Sequence, residues 1–364
     1  VADEIKFVVF DKAGVFRRTV VARESSAEIP VNATPTAEFV LDDDDPALAA
    51  VTAEGARCAY WFRGVEWFRG RISATPGTGP LGSTTARVEG DFRKLWDWQG
   101  WPKPTAAITA QDVEYARYTG TSEDVFKAAL AANFTRLGVP WSAAASLARG
   151  STARADFRFH PLAEKTVAAL DADDLVITIG YSPDPVVDVR AAALVPGLLS
   201  DLTGVLEEYG WTRDAPSATR VAVGGAGEGT ARDFYQQIDS AREEAWGDII
   251  ETFKDARMAD DGADMSIDAA EALADGAPTA GVSMSLVESE RFRFGTTFLV
   301  GDRVPVRVGP LNLTERITSV QIEESAANGV VVTPHLGSIQ DSPDAELGAQ
   351  VAGVARGIRD AGRR

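Results

Sequence analysis

The chain has 364 residues, 45% of them hydrophobic, with one Cys, two His and a net charge of −18. That length implies two or three domains. The lone Cys58 excludes an internal disulfide, and one Cys with two His supplies too few ligands for a thiolate or imidazole zinc site. A surface this acidic repels nucleic acid and anionic membranes, because both need clustered Lys and Arg.

The first hundred residues read as β-structure. "IKFVVFD" (Ile5–Asp11) and "AGVFRRTVV" (Ala13–Val21) form a hairpin with Gly14 in the turn. "AEFVLD" (Ala37–Asp42) is a third strand. "ARCAYWFRG" (Ala56–Gly64) and "VEWFRGRIS" (Val65–Ser73) form a second hairpin turning at Gly64. Alternation sends Cys58, Tyr60 and Phe62 to one face and Ala59, Trp61 and Arg63 to the other. Both faces are bulky, so this strand is expected to be covered on both sides. "STTARVEGD" (Ser83–Asp91) follows a Gly/Pro loop, and the set suggests a small barrel or sandwich.

Helices enter next. "SEDVFKAALAANFTRLG" (Ser122–Gly138) has an N-cap at Thr121 or Ser122, acids in its first turn and Gly138 at its end. Its expected apolar stripe is Val125, Ala128, Ala129, Ala132 and Leu137. "HPLAEKTVAALDA" (His160–Ala172) is a second helix with Pro161 near its start. "DLVITIGYS" (Asp174–Ser182) and "VVDVRAAAL" (Val186–Leu194) are paired strands.

"ATRVAVGG" (Ala218–Gly225) is a strand, and Thr230–Arg257 is expected to be extended or helical early and helical late. "MSIDAAEALADGA" (Met265–Ala277) is a short helix closed at Gly276. "APTAGVSMSLVESE" (Ala277–Glu290) is a strand with Val282, Met284 and Leu286 on one face. Gly301 and Asp302 make a turn. Val304, Val306 and Val308 then point inward, and Pro305 marks an edge or bulge. Glu315–Ser325 and Gly329–Gly337 form a hairpin through Asn328-Gly329. The final residues are a small-residue tail. The whole is β-rich α+β: a β unit at each end with a mixed α/β region between.

The candidate chemistry is sparse. "GGAGEGT" (Gly224–Thr230) lacks phosphate-loop spacing. The Asp42–Asp45 run and the acids Asp260, Asp261, Asp264 and Asp268 depart from a Ca²⁺ loop. Glu243–Glu244 and Glu323–Glu324 are sequence neighbours whose side chains diverge, so neither reads as a glycosidase dyad. His160 and His335 have no nucleophile elbow to serve. No catalytic, cofactor or metal residues are assigned. The eight Trp concentrate in Trp61–Trp101, where strand spacing favours core or subunit interface over sugar stacking.

The order of "YWFRGVEWFRGRIS", "ARVEGDFRKLWDWQGWP", "YTGTSEDVFKAALAANF", "ARADFRFHPLAEKTVAALDADDLVITIGY", "ATRVAVGGAGEGTARDFYQQIDSAREEAWGDIIETFKDAR" and the late "FLVGDRVPVRV" meander, through "GVVVTPHLG", resembles the tail-tip hub family of siphoviruses of actinobacteria, often described as minor tail proteins. That family is related to the hub of contractile-phage baseplates. The resemblance implies two tube-type antiparallel β-barrels with an inserted α/β region: residues 1–100, an inserted 101–217, a second barrel with a helical insertion in 218–340, and a tail at 341–364. It implies a homotrimer joining a sixfold tail tube to a threefold tip and lining the channel for DNA ejection. The implied partners are the distal tail protein, other tail-tip proteins and the tape measure protein, with phage DNA only in transit.

It also implies a structural protein of the virion, made in the host cytoplasm and without membrane insertion. The N-terminus does not read as a signal peptide. No hydrolase or receptor extension is expected after the second barrel. The structural and interface candidates are Trp61, Trp67, Trp96, Trp98, Gly301, Asp302 and Gly337. The alternative is a cell-wall-directed glycan-binding or hydrolytic tail protein.

Overall fold

A computed structural model of the chain describes residues 3–337, apart from 80–81, 182–183, 201–202, 258–261, 279 and 310. The tail expected at 341–364 lies outside the described residues. Two compact units are present: one takes the chain up to Tyr209 and from Met284 onward, and the other is Gly210–Ser283.

Among the described residues, the first unit is dominated by a thirteen-stranded, mainly antiparallel sheet. Strands β1 (Ile5–Phe10) and β2 (Phe16–Val20) form the first hairpin, with Gly14 at φ +78° and Phe7 opposite Val20. β3 (Ser25–Pro30) and β4 (Thr36–Asp42) follow, then β5 (Arg57–Phe62), β6 (Val65–Ala74) and β7 (Ser83–Gly90). The β5–β6 turn places Arg63 at φ +54° and Gly64 at +78°. Two consecutive left-handed residues are what a tight two-residue hairpin of native twist requires. Phe7, Phe39, Tyr60 and Phe62 fill the core beneath these strands, with Phe7 and Phe39 stacked at 4.3 Å.

The hydrogen-bonded path runs β2–β1–β5–β6–β7–β4–β3 and continues into the long strand Leu311–Ser325, then Gly329–Leu336 and Ala280–Leu286, with Leu206–Arg213 last. Early and late parts of the chain therefore share one sheet, joined where Val320 faces Ile29 and Ile322 faces Ala27. The late hairpin turns with Gly329 at φ +67°. Val304, Val306 and Val308 are buried on strand Arg303–Val308. Among the described residues, Pro305 sits where the outer edge has the bridge Leu194–Arg303 and the two-residue strand Leu199–Ser200 beside it. Among the described residues the path does not close on itself, so the pairing establishes a large sheet.

The same unit carries an α/β module with its own core. Helix Ser122–Leu137 has a capping box between Thr121 and Asp124 and ends at Gly138, φ +62°. The expected stripe is corrected: Ala128 and Leu137 are exposed, and the core face is Val125, Phe126, Ala129, Leu130 and Phe134. The i, i+4, i+8 series Phe126–Leu130–Phe134 buries more apolar surface than a row of alanines, and it sets the helix rotation. Helix Leu162–Ala172 begins after His160–Pro161, which instead pairs with Gln99–Gly100. Strands Leu175–Tyr181 and Pro185–Ala191 pair antiparallel as expected, and Ala116–Thr121 pairs with Thr152–Phe157.

In the second unit Arg220–Gly224 is the central strand, with Phe234–Ile238 antiparallel on one side and Glu251–Asp255 parallel on the other. Val221, Val223, Met265, Ala269 and Leu273 form its core under helix Gly262–Asp275. The helical expectation for the end of Thr230–Arg257 is corrected. After a 3-10 turn at Gly229–Ala231, only Ser240–Trp246 is α-helical; Gly247 stops it at φ +66°, and Glu251–Asp255 is a strand. No helix among the described residues is long and apolar enough to cross a membrane.

Candidate assembly surfaces

Gly301 and Asp302 lie where the α/β module meets the sheet. Gly301 adopts φ +90°, and a Cβ there would overlap Val176 Cγ2 and stand 3.0 Å from Val31 Cγ2. Asp302 is buried. Its Oδ1 accepts from Arg190 Nη1 at 2.7 Å and from the Ala193 N–H at 3.0 Å, and its Oδ2 accepts from the Leu299 N–H at 2.8 Å.

Three residues that local sequence patterns do not flag complete this junction. Asn32, at φ +46°, donates to Asp171 Oδ1 and to the Leu175 carbonyl, and accepts from the Ile177 N–H, each at 2.7 Å. Arg316 donates to the same Asp171 oxygen at 2.8 Å. Arg190 also donates to the Val300 carbonyl at 2.6 Å. The only sequence hint is Asn's tolerance of left-handed backbone.

A second cluster holds the β5–β6 turn. Arg63 bonds both oxygens of Glu288, at 2.9 and 2.6 Å, together with Asp3 at 2.6 Å and the Phe294 carbonyl at 3.0 Å. Its guanidinium lies 4.5 Å from the centre of the Phe62 ring. Burial pushes the Asp3 carboxyl up, but its bonds to Arg63 and Arg293 outweigh that and hold it below its usual range. Trp67 stacks on Phe294 at 4.1 Å and donates to the Phe62 carbonyl at 3.2 Å. Trp61 is half-buried on the β5 face opposite Cys58, Tyr60 and Phe62, and burial drives the Cys58 thiol far above its usual range.

The other candidates are dispersed. Trp96 is exposed, whereas Trp98 packs edge-on against Phe134 and Trp141. Gly337 closes the late strand with φ +108°, and its N–H meets the Arg316 carbonyl at 3.2 Å. His160 accepts from the Arg158 N–H, and His335 lies on the late strand Gly329–Leu336. In the Gly224–Thr230 loop, Arg232 donates to the carbonyls of Gly224 and Gly225 and pairs with Asp255. Asp260 and Asp261 lie outside the described residues, and Asp268 pairs with Lys254 at 3.4 Å.

The solvent face of the joined sheet is polar. Glu28 stands opposite Gln321, Ser26 opposite Glu323 and Glu38, and Thr36 opposite Glu89. Arg87 and Arg71 are paired to Glu38 and Glu89 at 2.8 and 2.7 Å. A shallow groove of about 290 Å³ crosses early and late strands, lined by Glu24, Glu38, Glu323 and Glu324 with Ser and Thr between.

The family model of siphovirus ReqiPepy6 Gp37-like proteins matches residues 7–338. Among solved structures the chain is similar to the 43 kDa tail protein of prophage MuSo2 from Shewanella oneidensis, with TM-score 0.60 and 12% identity over 91% of this chain and 98% of that one. It is also similar to a tail protein from Neisseria meningitidis MC58 (0.57, 13%, 92% and 96%) and to prophage tail protein gp18 from Listeria monocytogenes EGD-e (0.58, 13%, 96% and 99%). At these identities the likeness is one of fold. No curated protein sequence matches the chain.

Proposed function

Since the chain belongs to the siphovirus ReqiPepy6 Gp37-like family, we propose that it is a structural subunit of a phage tail tip, acting as a trimeric hub between a sixfold tail tube and a threefold tip. In this reading residues 1–100 and the late strands of 218–340 each supply one tube-type barrel, and 101–217 is the inserted module. Three chains with two similar modules make six positions around a closed ring, so threefold and sixfold neighbours are matched without unpaired interfaces.

The observation that carries the reading is the single sheet uniting Ser25–Pro30 with Leu311–Ser325, which holds the two β modules of one chain side by side. Its acid-rich solvent face lines the channel, where like charge keeps DNA from adhering as it passes. Trp61, Trp67, Trp96 and Trp98, with the Gly301–Asp302 turn and Gly337, serve as structural and interface positions. The distal tail protein, the tape measure protein and other tip proteins are the neighbours, and the chain itself performs no catalytic step.

The test is electron microscopy of the particle that contains the chain, with the rotational symmetry counted. A threefold annulus with a pseudo-sixfold bore is expected. A monomer in the particle, or a body with a single cleft, overturns the reading.

A further inference from the structure

The second unit has one sheet face turned away from its core. Val221 and Val223 face the helix Gly262–Asp275, so strand alternation sends Phe234, Ile238 and Phe253 to the opposite side, where they are 63%, 43% and 55% exposed. The register sets Ala222 between Gln236 and Phe253. The Arg232 guanidinium stands 5.9 and 5.6 Å from the Phe234 and Phe253 ring centres. Exposed large apolar side chains gathered on one face of so small a unit mark an interaction surface.

Charge selects the occupant. Residues 210–283 hold fifteen Asp and Glu against six Lys and Arg, so half of the chain's net charge of −18 lies in about one-fifth of its length. The three guanidinium groups beside the face are engaged internally: Arg220 binds Glu243 through both carboxylate oxygens, Arg232 binds Asp255 and two carbonyls, and Arg257 pairs with the same Asp255 at 3.2 Å. Glu228, Asp233, Asp248 and Glu251 remain exposed around it. A second copy bringing the same face sets like charge on like charge. A sugar finds Phe rings without polar handles and no uncommitted guanidinium for its hydroxyls. A basic, partly apolar polypeptide satisfies both the rings and the carboxylates.

We propose that the Phe234–Ile238–Phe253 face docks a basic polypeptide segment of a different protein, apolar side chains resting on the rings and Lys or Arg side chains on the surrounding carboxylates. The docking rests on the tail-tip reading only for where that partner is found.

Two measurements test it. The purified full chain is titrated with a peptide alternating Lys and Leu and with one alternating Lys and Ser. The Lys–Leu peptide is expected to bind about tenfold tighter or more, as burial of one or two large apolar side chains implies. Phe253→Ser, an exposed position off the Val221–Met265–Leu273 core, is expected to abolish most of that preference. Equal binding of the two peptides, or a preference that survives Phe253→Ser, overturns the proposal whatever particle the chain belongs to.

In assembled particles, a photo-crosslinking amino acid at Gln236 is expected to give an adduct with another virion protein through a stretch richer in Lys and Arg than in Asp and Glu. An adduct with a second copy, with an acidic stretch or with glycan, or particles containing the chain with no adduct, overturns the docking and leaves the tail-tip reading standing. Absence of the chain from tail tips overturns that reading and leaves the peptide result to decide the docking.

Discussion

The Asn32 side chain completes the edge of the strand containing Ile177 as a peptide group would: it accepts the Ile177 N–H and donates to the Leu175 carbonyl, both at 2.7 Å. The sheet and the α/β module are thus joined by backbone-like bonds that no local pattern announces. Asn32→Ala leaves a buried donor and acceptor unpaired, each costing about 1–3 kcal/mol. A loss of roughly 2–4 kcal/mol is expected in urea denaturation. Asn32→Asp is expected to be no better, because it turns an oxygen toward the Leu175 carbonyl and Asp171.

Gly301 has two constraints, a left-handed φ and the Val176 methyl group where a Cβ would stand. Gly301→Ala is expected to lose about 1–3 kcal/mol. Adding Val176→Ala separates the causes. Relief of the overlap recovers part of the loss, and the remainder is backbone strain. Complete recovery in thermal melts would show that φ contributes nothing.

Arg63 and Glu288 share two hydrogen bonds with both side chains largely out of water. A double-mutant cycle with Arg63→Ala and Glu288→Ala is expected to give a coupling energy of about 1–3 kcal/mol. Arg63→Ala leaves the Glu288 carboxylate without its charged partner, whereas Glu288→Ala leaves Arg63 with Asp3 and the Phe294 carbonyl, so the first single variant is expected to cost more than the second. Additive losses would place the anchor of the β5–β6 turn in the Trp67–Phe294 stack instead.

Glu123 accepts three bonds from Arg149, each at 2.9 Å, and one from Lys127 at 2.7 Å. The Arg149 bonds, offset in part by burial and reinforced by Lys127, hold its carboxyl well below the ordinary 4.5. A carboxylate whose folded pKa is depressed stabilises the fold fully above its unfolded value, and that stability is lost as pH falls below about 4.5 toward the folded value. Melting temperature is expected to be flat near neutrality and to fall on acidification below that point. Glu123→Gln is expected to lose roughly 3–5 kcal/mol at neutral pH, with a shallower acid decline.

What the sequence made legible was local. Hairpins announced by Gly14, Gly64 and Gly329 are present, as is the Val304–Val306–Val308 alternation, because turn chemistry and side-chain period are written within ten residues. Ser25–Pro30 went unread because "SSAEIP" is weakly apolar and becomes a strand through Leu311–Ser325. Glu251–Asp255 read as helix because its charged residues favour one; parallel pairing with Arg220–Gly224 overrides that preference. Gly301 and Asp302 are legible as a turn, but their partners Val176 and Arg190 lie more than a hundred residues away, in another element. No sequence period records such a meeting.

The union of early and late strands also orders the protein's birth. Ser25 and Glu324 touch at 3.4 Å but lie 299 residues apart. At ribosomal speeds of about 5–20 residues per second, the free edge of Ser25–Pro30 waits roughly 15–60 s for its neighbour to be synthesised. The α/β module, whose strands and helices meet mainly within residues 92–189, is complete long before that. Biogenesis thus proceeds with the early strands and the inserted module available as a finished platform, and the sheet that unites Ser25–Pro30 with Leu311–Ser325 is sealed last.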